Sequence, residues 1–77
     1  MNKYKQANRN FENWLKGRAQ VEQDTISWLN DNDFQGWPGS KVYDFGNLGL
    51  LQVWWARFGW ETRWLEVEKP PEEIKPE

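Results

Sequence analysis

Within residues 4–28 the apolar positions Tyr4, Ala7, Phe11, Trp14, Val21 and Trp28 recur at steps of three, four or seven, with Leu15 and Leu29 widening the stripe. A helical turn of about 3.6 residues brings such positions onto one face, so the spacing predicts an amphipathic helix. Gly17 falls inside the pattern, where it costs about 1 kcal/mol relative to alanine, and Arg18 and Thr25 stand where leucine is expected. The helix is therefore expected to kink or break near Gly17, with Asp24 or Thr25 capping a second short helix that ends near Asn30. The same spacing also describes a coiled-coil seam. Two of its knobs are tryptophan, which favours packing within one chain over a helical dimer.

Residues 30–41 are dense in Asn, Asp, Gly and Pro, the signature of a connection. Beyond it Val42-Tyr43-Asp44-Phe45 alternates, Gly46-Asn47-Leu48-Gly49 offers a turn, and residues 50–58 and 60–68 are rich in valine and aromatics. The pattern predicts three antiparallel strands. A second helix from Leu48, with Leu51, Trp54, Trp55, Phe58 and Leu65 as its stripe, is the rival; Gly49, Gly59 and the β-type composition count against it. Residues 70–77, proline-rich and charged, carry too little apolar surface to order and are expected to be a disordered tail. The fold class expected is α+β: an N-terminal helix on a three-stranded antiparallel meander, one domain over residues 1–69, then the tail.

The faces of the sheet depend on the second hairpin. A three-residue loop Arg57-Phe58-Gly59, with Gly59 left-handed, sets Ala56 opposite Trp60. Leu51, Val53, Trp55, Leu65 and Val67 then cover the helix stripe, and Trp54, Ala56, Trp60 and Trp64, with Gln52 and Thr62 between them, form the other, partly exposed face. A two-residue turn at Phe58-Gly59 pairs Arg57 with Trp60 instead and mixes the two sets, because a one-residue slip turns every side chain of a strand over.

Seven tryptophans in 77 residues exceed ordinary usage several-fold, and tryptophan is the residue most enriched at binding hot spots. Small cores also recruit large side chains. Trp14, Trp28 and Trp55 are expected in the core, while Trp37, Trp54, Trp60 and Trp64, with Arg57 and Arg63 at the edge, are the candidate partner-binding residues.

Cysteine and histidine are absent, which removes disulfides, thiol and histidine catalysis and the usual zinc sites. Asp31, Asp33, Gln35 and Gly36 open like a calcium loop, but its twelfth position is Val42, where a bidentate glutamate is needed. Asp44-Phe45-Gly46 spells the magnesium-binding tripeptide of kinases without the rest of that machinery. Glu66 and Glu68 sit on alternate strand positions next to a charged tail, where a solvated edge that discourages aggregation is the simpler role. No catalytic residue, no metal and no cofactor is expected.

The net charge of −2 conceals a gradient: residues 1–20 carry Lys3, Lys5, Arg9, Lys16 and Arg18 against Glu12 alone, while residues 61–77 are acidic overall. That gradient suits oriented encounter with a charged partner or simple solvation. No apolar run or signal-like start is seen, so a cytoplasmic setting and no membrane partner are expected. The function expected is that of a small non-enzymatic module binding another protein, as a monomer or homodimer, in the manner of regulators and inhibitors among bacterial or phage accessory proteins. This is analogy of kind only. The alternatives are a module for glycan or single-stranded nucleic acid, the latter disfavoured by Glu61, Glu66 and Glu68, and a structural subunit of a homo-oligomer.

Overall fold

The apolar stripe folds as one unbroken helix, α1 (Lys3–Asp31), of 29 residues. The computed structural model describes residues 3–66, with Lys3, Tyr4 and Ala7 by backbone alone; the expected tail at 70–77, along with Val67, Glu68 and Lys69, lies outside the described residues. Gly17 does not end the helix, and no second helix starts at Asp24 or Thr25. A Cβ at Gly17 would stand 3.0 Å from Cδ2 of Leu48. The missing side chain is what lets a loop of the sheet press against the helix.

The helix stops by a Schellman arrangement. Asp33 adopts a left-handed conformation, φ 55°; the Phe34 N–H donates to the Leu29 carbonyl at 3.3 Å and the Asp33 N–H to the Asn30 carbonyl at 3.2 Å. These bonds satisfy carbonyls that the helix end leaves open, and they turn Phe34 back over the last turn. Asp33, read from sequence as part of a failed calcium loop, is a helix stop.

Three strands follow: β1 (Ser40–Asp44), β2 (Leu50–Ala56) and β3 (Gly59–Leu65), antiparallel and in sequence order. The rival second helix over residues 48–68 does not form. Between β1 and β2 lies a 3-10 turn (Gly46–Leu48). The Asp44 carboxylate accepts the Gly46 N–H at 2.8 Å, and the Phe45 N–H donates to the Gly49 carbonyl at 2.9 Å. Asp44-Phe45-Gly46 is thus a turn whose aspartate bonds its own backbone two residues on.

Ala56 pairs with Gly59 and Trp55 with Trp60, so the hairpin loop is Arg57-Phe58. Both expected registers are corrected. Gly59 keeps a positive φ of 145° but serves as the first residue of β3 instead of closing the loop. Odd residues of β2 consequently share a face with even residues of β3. In β1, Tyr43 pairs with Leu51 and Lys41 with Val53. The inner face is therefore Lys41, Tyr43, Leu51, Val53, Trp55, Trp60, Thr62 and Trp64; Leu65 falls on the outer face.

The helix covers this inner face. Leu29, Leu51 and Val53 are fully buried and Trp60 is 8% exposed, ringed by half-buried Val21, Ile26, Trp37, Tyr43, Phe45, Trp55 and Trp64. At the other end of the contact, the Trp14 indole N–H donates to the Asn47 carbonyl at 3.0 Å and Arg18 Nε to the Leu48 carbonyl at 2.9 Å. Trp14 is buried as expected. Trp28 is not: it is 54% exposed, and its neighbour Leu29 takes the core position.

Candidate partner-binding face

The single aromatic strip expected from Trp54, Trp60 and Trp64 does not form, because the observed register sends Trp54 to one face of the sheet and the other two to the opposite face. Trp60 is core: its ring meets Trp55 at 5.1 Å and Trp37 at 5.3 Å between centroids, both edge-on. Trp64 packs edge-on to Phe45 at 6.1 Å and lies under the Arg18 guanidinium. Neither indole N–H finds an acceptor among the described residues, so both rings are held by packing. Trp37, in the connection before β1, is half-buried against this cluster, with Lys41 Nζ 4.6 Å from its ring centroid.

Of the six candidates, Trp54 and Arg63 are the two that share the open face of the sheet. Both stand on the outer face, which no described element covers, and both line a shallow depression of about 410 Å³ with Gly39, Ser40 and Gln52. Cross-strand pairing of Trp54 with Ser40 and with Glu61, and of Gln52 with Val42 and with Arg63, dictates this arrangement. A chain of hydrogen bonds ties the polar members: Arg63 Nη2 donates to Gln52 Oε1 at 2.8 Å, and Gln52 Nε2 to Ser40 Oγ at 3.0 Å. Apolar side chains complete the face: Val42, half-exposed, and Leu50, Ala56 and Leu65, partly exposed. An open sheet face normally reads as polar; this one mixes Ser40, Asp44, Gln52, Glu61 and Arg63 with the apolar Val42, Leu50, Trp54, Ala56 and Leu65. Arg57 stands apart at the hairpin tip beside Phe58, which is 93% exposed.

The end of the helix carries a second exposed aromatic group. Trp28 and Phe34 pack with their rings tilted, 5.4 Å between centroids, and, with Leu29, Trp37, Lys41 and Tyr43, enclose a cleft of about 270 Å³. Its signal was the left-handed stop at Asp33, which folds Phe34 onto the helix end.

Among the described residues no group of three acidic side chains is placed to hold a metal ion, and no helix is long and apolar enough to cross a membrane. Comparison with family models, with curated proteins and with solved structures finds no match.

Proposed function

We propose that this chain is a small non-enzymatic module that binds another protein, as a cytoplasmic regulator or inhibitor, and that the outer face of its sheet is the contact surface. The supporting observation is Trp54, an indole left part-exposed at the centre of an uncovered face, with apolar Val42, Leu50, Ala56 and Leu65 around it and the hydrogen-bonded row Ser40, Gln52, Arg63 across it. A rigid aromatic anchor with fixed polar neighbours is the make-up of a protein hot spot. Asp44 and Glu61 lie on the same face as Arg63, a charge balance poorly suited to nucleic-acid phosphates.

The test is affinity capture with mass spectrometry, comparing wild type with Trp54→Ser and Phe58→Ser, each shown by circular dichroism to melt as the wild type does. One protein should be held by wild type and Phe58→Ser and weakened by Trp54→Ser at least about thirtyfold, since truncating a central tryptophan typically costs about 2 kcal/mol or more. Equal capture by Trp54→Ser overturns the reading, and loss with Phe58→Ser alone moves the contact to the hairpin tip.

One observation favours a second reading. Trp54 beside the hydroxyl, amide and guanidinium of Ser40, Gln52 and Arg63 resembles a platform for a sugar ring, apolar below and hydrogen-bonding at the rim. Saccharide-dependent change in tryptophan fluorescence, lost with Trp54→Ser and indifferent to salt, would support it.

A further inference from the structure

β3 is an edge strand, and its sequence is complementary to itself. Ala56 and Gly59 close a two-residue loop as a hydrogen-bonded pair, so alternation along the ladder directs the backbone N–H and C=O groups of Trp60, Thr62 and Trp64 away from β2. No described element pairs with that side. Natural edges are usually blunted by proline, a bulge, a covering element or charged side chains. β3 has no proline, and its two exposed charges are of opposite sign: Trp60-Glu61-Thr62-Arg63-Trp64 reads about Thr62 as aromatic, acid, centre, base, aromatic.

We propose that two copies of this chain join antiparallel through β3, with Thr62 opposite Thr62, to make a continuous six-stranded sheet. In that register Glu61 of each copy faces Arg63 of the other on the outer face, and Trp60 faces Trp64 on the inner face. Side-chain parity restricts the alternatives to slips of two residues in the sum of paired positions. One such slip sets Glu61 against Glu61 and the other Arg63 against Arg63, and like charges directly opposite are destabilising. Both charges are available: Glu61 and Arg63 are exposed, and neither has an ion-pair partner among the described residues. Arg63 spends one nitrogen on Gln52. The two helices then lie side by side on the same face, and the outer faces merge into one surface with two copies of Trp54. The inference is independent of what that outer face binds.

Sedimentation equilibrium on the full chain tests it. Wild type should be dimeric at micromolar concentration. Glu61→Arg and Arg63→Glu should each weaken the dimer about ten- to a hundredfold, by placing like charges across both symmetric pairs, with circular dichroism unchanged. The double exchange Glu61→Arg/Arg63→Glu should restore wild-type association. In a Thr62→Cys chain, otherwise free of cysteine, mild oxidation should give a covalent dimer, since directly opposed strand positions lie within disulfide reach. A wild type that stays monomeric to millimolar concentration overturns the proposal. So does a dimer that ignores both charge reversals or that Thr62→Cys fails to crosslink.

Discussion

The guanidinium carbon of Arg18 stands 4.5 Å from the ring centroid of Trp64, linking the middle of the helix to the far strand of the sheet. The same guanidinium carbon stands 3.7 Å from the ring centroid of Trp14, and Nε donates to the Leu48 carbonyl. A residue that looks like a flaw in an apolar stripe is the clamp between helix, loop and sheet.

Arg18 side-chain atoms are 11% exposed, so its interactions are only weakly screened. A hydrogen bond from a charged donor contributes about 1.5–3 kcal/mol, and cation–π stacking adds about 1–2 kcal/mol when desolvated. Arg18→Ala is expected to lower urea-unfolding stability by about 2–4 kcal/mol, given overlap between those terms. Arg18→Lys should recover less than half, because a compact ammonium lacks the planar surface that the guanidinium offers to both rings. The ion pair to Glu66 at 3.1 Å involves a carboxylate that is 61% exposed; Glu66→Gln should change stability by less than about 1 kcal/mol. A full-sized loss from Glu66→Gln would show that the ion pair, not the stack, is the clamp.

Gly17 tests how closely the loop approaches. In an open helix, glycine to alanine gains about 1 kcal/mol. Here the new methyl would meet Leu48 Cδ2 at 3.0 Å, and Leu48 also supplies the carbonyl that Arg18 holds. Gly17→Ala is expected to gain the full amount only in a Leu48→Ala background and clearly less in the wild type. A double-mutant cycle measures the difference; additivity would mean that Leu48 gives way freely.

How far the fold could be read from sequence follows from these residues. The helix, the connection and the three strands were legible because period and turn chemistry agree over long stretches. The ends of the stripe were not. Trp14, Val21 and Trp28 are seven residues apart, but a straight helix drifts by about 20° per heptad, and without a supercoiled partner nothing corrects the drift. Eleven residues, about three turns, separate Arg18 from Leu29, so the stripe that begins at Arg18 ends on Leu29 and Trp28 rotates out. The faces of the sheet turned on one residue: Gly59 fits the end of a three-residue loop as well as the start of a strand, and the choice exchanged the partners of Trp54. Of the six candidates Trp54 and Arg63 share the uncovered outer face, while Trp37, Trp60 and Trp64 turn to the core side.

That rotation has a measurable consequence. Leu29→Ala removes a fully buried side chain and should cost about 2–4 kcal/mol by lost burial and cavity formation. Trp28→Ser, next to it, should cost under about 1.5 kcal/mol, chiefly its ring contact with Phe34. Iodide should quench Trp28 fluorescence in the native protein, as seen by comparing wild type with Trp28→Phe. A Trp28→Ser variant as unstable as Leu29→Ala would place the indole in the core after all.

Asp33 holds the helix stop in a conformation that suits glycine better. At φ 55° an L-residue with a Cβ is strained, aspartate less so than most, and the two Schellman bonds need only its backbone. Asp33→Gly is therefore expected to raise stability by about 0.5–1 kcal/mol, the left-handed relief outweighing the greater freedom of glycine in the unfolded chain. It also removes a carboxylate from the negative end of the helix dipole, which acts in the same direction. Asp33→Ala, which removes the charge but keeps the Cβ, separates the two causes: it should fall below Asp33→Gly by about 1 kcal/mol. Thermal melts of the three chains decide between them, and equal gains from alanine and glycine would mean that the dipole alone is responsible.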